Sequence, residues 1–203
     1  MSKSRLETFA DGVFAIAATL LIIRVSADAS GRALGGALTH AWPQYAAYAL
    51  SFSMIGTWWL NHHAYMEVID HVDRTFLFLN LSLLVFVAFL PFPTHLIAEH
   101  FHDAGLRAAV IVYGITQTGA ALSMGLLWSH AAKGRRLISP GVGQRIVARH
   151  TRDVWVGTPY CAAATLVALW SPYATLVIIA VAEVFYIFGG TFFLRRSATE
   201  SVV

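Results

Sequence analysis

The sequence predicts an all-helical membrane protein with six transmembrane helices and both termini on the cytoplasmic side. Three observations carry that expectation. Of 203 residues, 57% are hydrophobic and only 12% charged, against about 25% charged in ordinary soluble proteins. Six apolar runs follow one another, each near the ~20 residues needed to cross a bilayer core. The lysines and arginines collect on alternate connections, which sets orientation by the positive-inside rule. Residues 1–203 therefore read as a single six-helix transmembrane domain, with no room for a sizeable soluble one.

The first run, Arg5 to Val25, is almost purely apolar from Gly12 to Ile23, yet its start carries Arg5 and Asp11. A secretory leader has a similar outline, with Lys3 and Arg5 ahead of an apolar run and Val25-Ser26-Ala27 as a passable cleavage site. Asp11 and Arg24 do not suit the apolar region of such a leader, so the run reads as a retained span. The second span runs from about Ala41 to Ala64, with Pro43 tolerable in its first turn. The third runs from about Asp73 to Ile97, where Pro91 and Pro93 should bend or end the helix near its outer end. The fourth covers about Ala104 to Ala131 and the fifth about Thr151 to Trp170. A tight Ser171-Pro172 turn leads to the sixth, about Pro172 to Leu194. The pattern of the first span does not recur.

With the N-terminus inside, the cytoplasmic segments hold Lys3, Arg5, Arg74, Lys133, Arg135, Arg136, Arg145, Arg149, Arg152, Arg195 and Arg196. Of the 14 basic residues, only Arg24, Arg32 and Arg107 then fall outside. The basic loop from Lys133 to Arg152 is thus a topology determinant. It makes no basic helix interleaved with aromatics, so nucleic acid is not an expected partner. Gly141 to Gln144 (G-V-G-Q) lies in that loop and lacks the pattern of a carbonyl filter. The single cysteine, Cys161, excludes an intrachain disulfide.

At about 100° per residue, Arg5, Phe9, Gly12, Ile16, Leu20 and Ile23 share one narrow stripe of the first helix, with Thr19 at its edge. Asp11 lies roughly 140° round from Ile16, on a different face, where a carboxylate in hydrocarbon needs donors. Trp59, His62 and Asn80 reach the same inner-leaflet depth on the second and third spans. Indole, imidazole and amide N–H groups can supply those donors. The expectation is one network in which Asp11 anchors the first helix to the second and third. Arg5 either pairs with Glu7, Asp70 or Asp73, or is a plain positive-inside anchor. Trp42 and Trp170 read as interfacial aromatics.

The run from Arg5 to Leu21, R-x-x-x-F-A-D-G-V-F-A-I-A-A-T-L-L, resembles the first-helix signature of the transmembrane-protein-175 family, whose bacterial members are potassium channels. The family pattern is R-x-x-x-F-S-D, so Ala10 departs from it by losing a hydroxyl. W-L-N-H-H from Trp59 to His63, Asn80, and L-P-F-P-T from Leu90 to Thr94 extend the resemblance over about the first half of the chain. It implies a homotetramer in the cell membrane, with the first helix of each chain lining the pore. Ile16, Leu20 and Ile23 would form the constriction, and Thr19 a ring of hydroxyls. Arg5, Phe9 and Asp11 would be the signature residues. The permeant ion would be potassium, with no cofactor and no bound metal besides it, and lipid as the surrounding partner.

Two other readings of the polar residues stand against this. A proton-coupled transporter would use Asp11 and Glu183, both inside apolar spans, although Glu183 is as readily explained by a hydrogen bond to a neighbouring helix. Transporters commonly carry inverted repeats, and none is visible. His63, Glu67 and His71 recur every four residues, as metal ligands on a helix face do, but the second span should end near residue 64. His95, His100 and His102 belong to the opposite side. Cys161 has no histidine near it in sequence, so neither a metal enzyme nor a hydrolase is expected.

Overall fold

The computed structural model describes residues 2–23, 25 and 34–200, the stretch 188–200 through its backbone alone. The chain folds as α1 (Lys3–Ile23), α2 (Leu34–His40), α3 (Trp42–Val68), α4 (Arg74–Phe89), α5 (Pro91–Glu99), α6 (Leu106–Ala132), a 3-10 turn (Lys133–Arg135), α7 (Gln144–Val167) and α8 (Pro172–Glu200). Arg24, Arg32 and the Ser26-Ala27 step lie outside the described residues, as do the side chains of Arg195 and Arg196.

Among the described residues, three stretches are both long and apolar enough to span a membrane: Lys3–Ile23, Arg74–Glu99 and Leu106–Arg135. α3 and α7 have the length but carry more polar side chains, and the side chains of α8 are described over Pro172–Ile187 alone.

α6 forms the centre and packs against α4, α5, α7 and α8. Small residues let its neighbours approach: Thr165 of α7 sits over Gly114, and the Phe86 ring of α4 over Gly119. Large side chains then fill the remaining space, with Tyr113, Met124, Leu127 and Trp128 all buried. α1 leans on α3, α4 and α5 through Leu6, Ala10, Phe14, Ala17 and Leu21, spaced at the helical repeat and all buried.

The third predicted span is two helices. The α4 helix ends at Phe89, and Pro91 opens α5 in its first turn, because a proline ring cannot sit against the carbonyl four residues back. The Thr94 hydroxyl donates to Ser51, 2.8 Å away, and Ser51 to the Tyr113 hydroxyl at 3.2 Å. The L-P-F-P-T stretch is thereby tied to α3 and α6.

Two expected boundaries are corrected. The second span continues past Ala64 to Val68. The basic segment Lys133–Arg152 is not all loop, since α7 begins at Gln144 and carries Arg145, Arg149 and Arg152. Arg149 and Arg152 reach Asp153 at 3.6 and 3.2 Å, so neighbouring carboxylate offsets part of the charge that reads as loop-like.

The helix ends gather at two poles. At one, the segments after α3 and after α6 join in a short antiparallel bridge at Ile69 and Ile138. The Asp70 amide donates to Leu137 and the Ser139 amide to Val68, both at 2.9 Å. Leu6, Phe9 and Arg74 meet at this pole. At the other pole Trp42 packs edge-on against Phe101, and the Tyr173 hydroxyl donates to the Phe101 carbonyl at 2.8 Å.

Candidate functional site: the exposed face of α1 and its supports

Opposite its buried stripe, α1 presents a face that is exposed among the described residues. Ile16 is 61% exposed, Leu20 42% and Ile23 69%. Phe9 and Thr19 are exposed on the same side, and a side chain at Gly12 would meet open space. The Thr19 hydroxyl donates to the Ile16 carbonyl at 2.9 Å. With its proton committed there, the oxygen's lone pairs remain as acceptors on that face. Ala10, where the resembled pattern has serine, is completely buried.

The predicted polar network is two separate pairs. The indole N–H of Trp59 donates to Asp11 Oδ1 at 2.9 Å, linking α1 to α3. Asp11 is exposed in the single chain rather than buried, beside a shallow recess lined by Phe14, Phe52 and Gly56. The second pair lies inside. His62 Nε2 is 2.7 Å from Asn80 Oδ1, and since an amide oxygen only accepts, the ring N–H donates. Both residues are buried. The Phe14 ring rests on His62, with centroids 5.7 Å apart, so this pair links α3 to α4 and seats α1. Trp59 and His62 lie only about 60° apart in helical projection, but Trp59 turns to α1 and His62 to α4, which splits the expected single network.

Arg5 is exposed, and among the described residues no ion pair involves it. Glu7 pairs with Lys3 at 3.8 Å. Asp73 caps α4, accepting from the Phe76 amide at 2.8 Å, and meets His130 at 2.9 Å and Arg136 at 3.8 Å. The Phe76 N–H first, then His130 and Arg136, hold the Asp73 carboxyl below the usual carboxylate range. Asp70 lies 3.2 Å from His71. Among the described residues, Arg5 is thus not paired with Glu7, Asp70 or Asp73.

Glu183 is buried and accepts from the Thr57 hydroxyl at 2.5 Å, as the neighbouring-helix reading expects. Thr57 and Trp59 project about 200° apart on α3, so Glu183 and Asp11 stand on opposite sides of that helix. His63 and Glu67 pair at 3.6 Å along α3, while His71 lies beyond its end. No three His, Cys, Asp or Glu side chains converge as a metal site among the described residues.

Further polar ties escaped the sequence reading: Trp58 to Gln117 at 3.0 Å, Tyr186 to Asn61 at 2.6 Å, and Trp128 to Thr151 at 2.8 Å. Their one sequence signal is a lone polar side chain in an apolar run, which names no partner.

Comparison with known proteins bears on this arrangement. A family model described as "Endosomal/lysosomal potassium channel TMEM175" matches residues 5–91, which contain the α1 face and both polar pairs. The chain is 43% identical over 154 residues to a protein named as a potassium channel from Streptomyces collinus, covering 74% of each chain. A Chamaesiphon minutus protein of the same description is 35% identical over 75% of this chain and 77% of its own. Human TMEM175, named as an endosomal/lysosomal proton channel, is 37% identical over 45% of this chain and 20% of its own. The crystal structure of a lysosomal potassium-selective channel TMEM175 homolog from Chamaesiphon minutus superimposes with a TM-score of 0.82 at 30% identity, over 92% of this chain and 96% of that one. The chain is thus a multi-pass membrane protein, not an enzyme, and belongs to the TMEM175 family of ion channels.

Proposed function

We propose that four copies assemble in the cell membrane as six-span units with both termini cytoplasmic, and that they conduct potassium passively along an axis lined by α1. The observation that supports this most is the two-sidedness of α1. One face is buried against α3, α4 and α5, and the other carries Ile16, Leu20 and Ile23, exposed among the described residues. The names of the Streptomyces and Chamaesiphon relatives point to the same ion.

Rings of branched aliphatic side chains make a constriction that excludes water. An ion crossing it sheds hydration without a cage of carbonyls in exchange. Potassium holds its water less tightly than sodium and meets the lower barrier. Thr19 oxygens return one partial ligand per chain. Selectivity of this origin is moderate. Asp11 sets the pose of α1 through Trp59, while His62 and Asn80 fix the seat on which Phe14 rests, and Phe9 begins the exposed stripe. Arg5 marks the cytoplasmic end.

A proton-coupled transporter built on Asp11 and Glu183 is the competing account. Their separation across α3 gives protons no direct route between them. Flux through liposomes holding the purified protein distinguishes the two. A channel passes potassium down its gradient without proton movement, and Ile16→Asn lowers the preference for potassium over sodium. Proton-coupled, saturable uptake, or an unchanged preference in Ile16→Asn, contradicts the proposal.

A further inference from the structure

On the far side of α3 from Asp11, a cavity of about 190 Å³ lies between α3, α6, α7 and α8. Its lining includes Trp58, Tyr65, Tyr160, Tyr186, Cys161 and Glu183. Four aromatic rings thus surround a space that two carboxylates, Glu183 and Asp153, also line. Among the described residues no lysine, arginine or histidine lines it.

The hydrogen-bonding capacity of this lining is largely spent inside the protein. Tyr186 donates to Asn61, Tyr160 to the Ile178 carbonyl and Trp58 to Gln117. Asn61 itself donates to the Thr57 carbonyl at 2.9 Å. What is left is specific. Glu183 is 6% exposed and accepts one hydrogen bond, at Oε1 from Thr57, so among the described residues its second oxygen has no partner. Tyr65, also buried, has a hydroxyl with no hydrogen-bond partner among the described residues. Asp153, at the rim, is already engaged by Arg149 and Arg152. A carboxylate with one donor in an apolar setting carries an uncompensated desolvation cost. Aromatic faces attract cations most strongly where water is excluded.

We propose that this cavity is a binding site for a small organic ammonium ion with an apolar body, separate from the α1 face. The ammonium sits against the free oxygen of Glu183, with the Tyr65 hydroxyl as a further acceptor. The apolar body lies among the rings of Trp58, Tyr160 and Tyr186. An inorganic cation fits less well, because the site offers too few oxygens to replace a hydration shell.

The test is equilibrium binding of 2-phenylethylammonium to the purified protein in nanodiscs, with 2-phenylethanol as the neutral counterpart of nearly equal size. The account predicts saturable binding at one site per chain and at least about tenfold weaker binding of the alcohol, the loss expected when ion pairing and cation–π attraction are both removed. Glu183→Gln keeps an acceptor for Thr57 and preserves the fold, and it should weaken the ammonium at least about tenfold without affecting the alcohol. Gly157→Leu supplies a second check. Gly157 lines the cavity, and a Cβ there would meet nothing within 4 Å, so a leucine starts from open space and, by occupying the cavity, should abolish binding of both probes. Ile16→Asn should bind the ammonium as the parent does. Equal affinity for the two probes, unchanged binding in Glu183→Gln or Gly157→Leu, or loss of binding in Ile16→Asn each overturns the proposal.

Discussion

Replacing His62 or Asn80 by leucine should have unequal costs, and the structure gives the sign of the inequality. Both side chains are sealed from solvent and share one hydrogen bond of 2.7 Å. Among the described residues, the amide nitrogen of Asn80 already has no partner. Asn80→Leu strands the His62 N–H, at about 1–3 kcal/mol for a buried unsatisfied donor, but it also removes the orphaned amide nitrogen, recovering about 1 kcal/mol. His62→Leu recovers nothing, leaves the whole Asn80 amide unpaired, and takes away the surface on which Phe14 rests. It should be the more damaging change by about 1 kcal/mol. The double replacement removes every stranded group and should cost less than the two single losses added together. Polar pairs between helices in a bilayer couple by about 0.6 kcal/mol on average and at most about 1.7. The complete burial of this pair puts the expected coupling in the upper part of that range. Equilibrium unfolding of the four proteins in one mixed-micelle system closes the cycle. Additive losses, or Asn80→Leu costing more than His62→Leu, would refute the reasoning.

Asp11→Ala should lower the stability of the assembled protein by about 1 kcal/mol. That is below the ~1.5–3 typical of a hydrogen bond to a charged group, because Asp11 is open to solvent in the single chain. Trp59→Phe should have the same effect, and the pair no more than either alone; unchanged melting in both removes the anchoring role. At the helix-end pole, the Asp73 carboxyl is depressed in the folded state. Its contribution is therefore present above the ordinary aspartate range, near pH 4, and is lost as pH falls through the lower folded value. Asp73→Asn retains a good helix cap, so it should flatten the fall in melting temperature below about pH 4 without abolishing folding. A parallel acid profile in the variant would rule out this role.

How far the chain could be read in advance differs from element to element. α1, α6 and α8 are legible because their apolar runs are long, and the α4–α5 break because Pro91 announces itself. α2 is not, since Leu34–His40 is short and glycine-rich, and the start of α7 is hidden by its arginines. The depth argument brought Asp11 and Trp59 to the same level and so found their bond. It could not say that His62 turns away to Asn80, because that depends on how α3 is rotated about its axis. Partner choice across helices failed for the same reason. Asp73 was offered to Arg5 but is taken by His130 of α6, a contact made by packing and unmarked in sequence.

The most direct test of the central claim uses cysteine substitution along α1 in a Cys161→Ser background, with currents recorded in planar bilayers before and after a cationic methanethiosulfonate reagent. Ile16→Cys, Leu20→Cys and Ile23→Cys should lose potassium current on modification, and Ala17→Cys, whose position is 1% exposed against the protein's own helices, should not. Uniform insensitivity at 16, 20 and 23, or block at 17 in their place, would put the ion path somewhere other than the exposed face of α1.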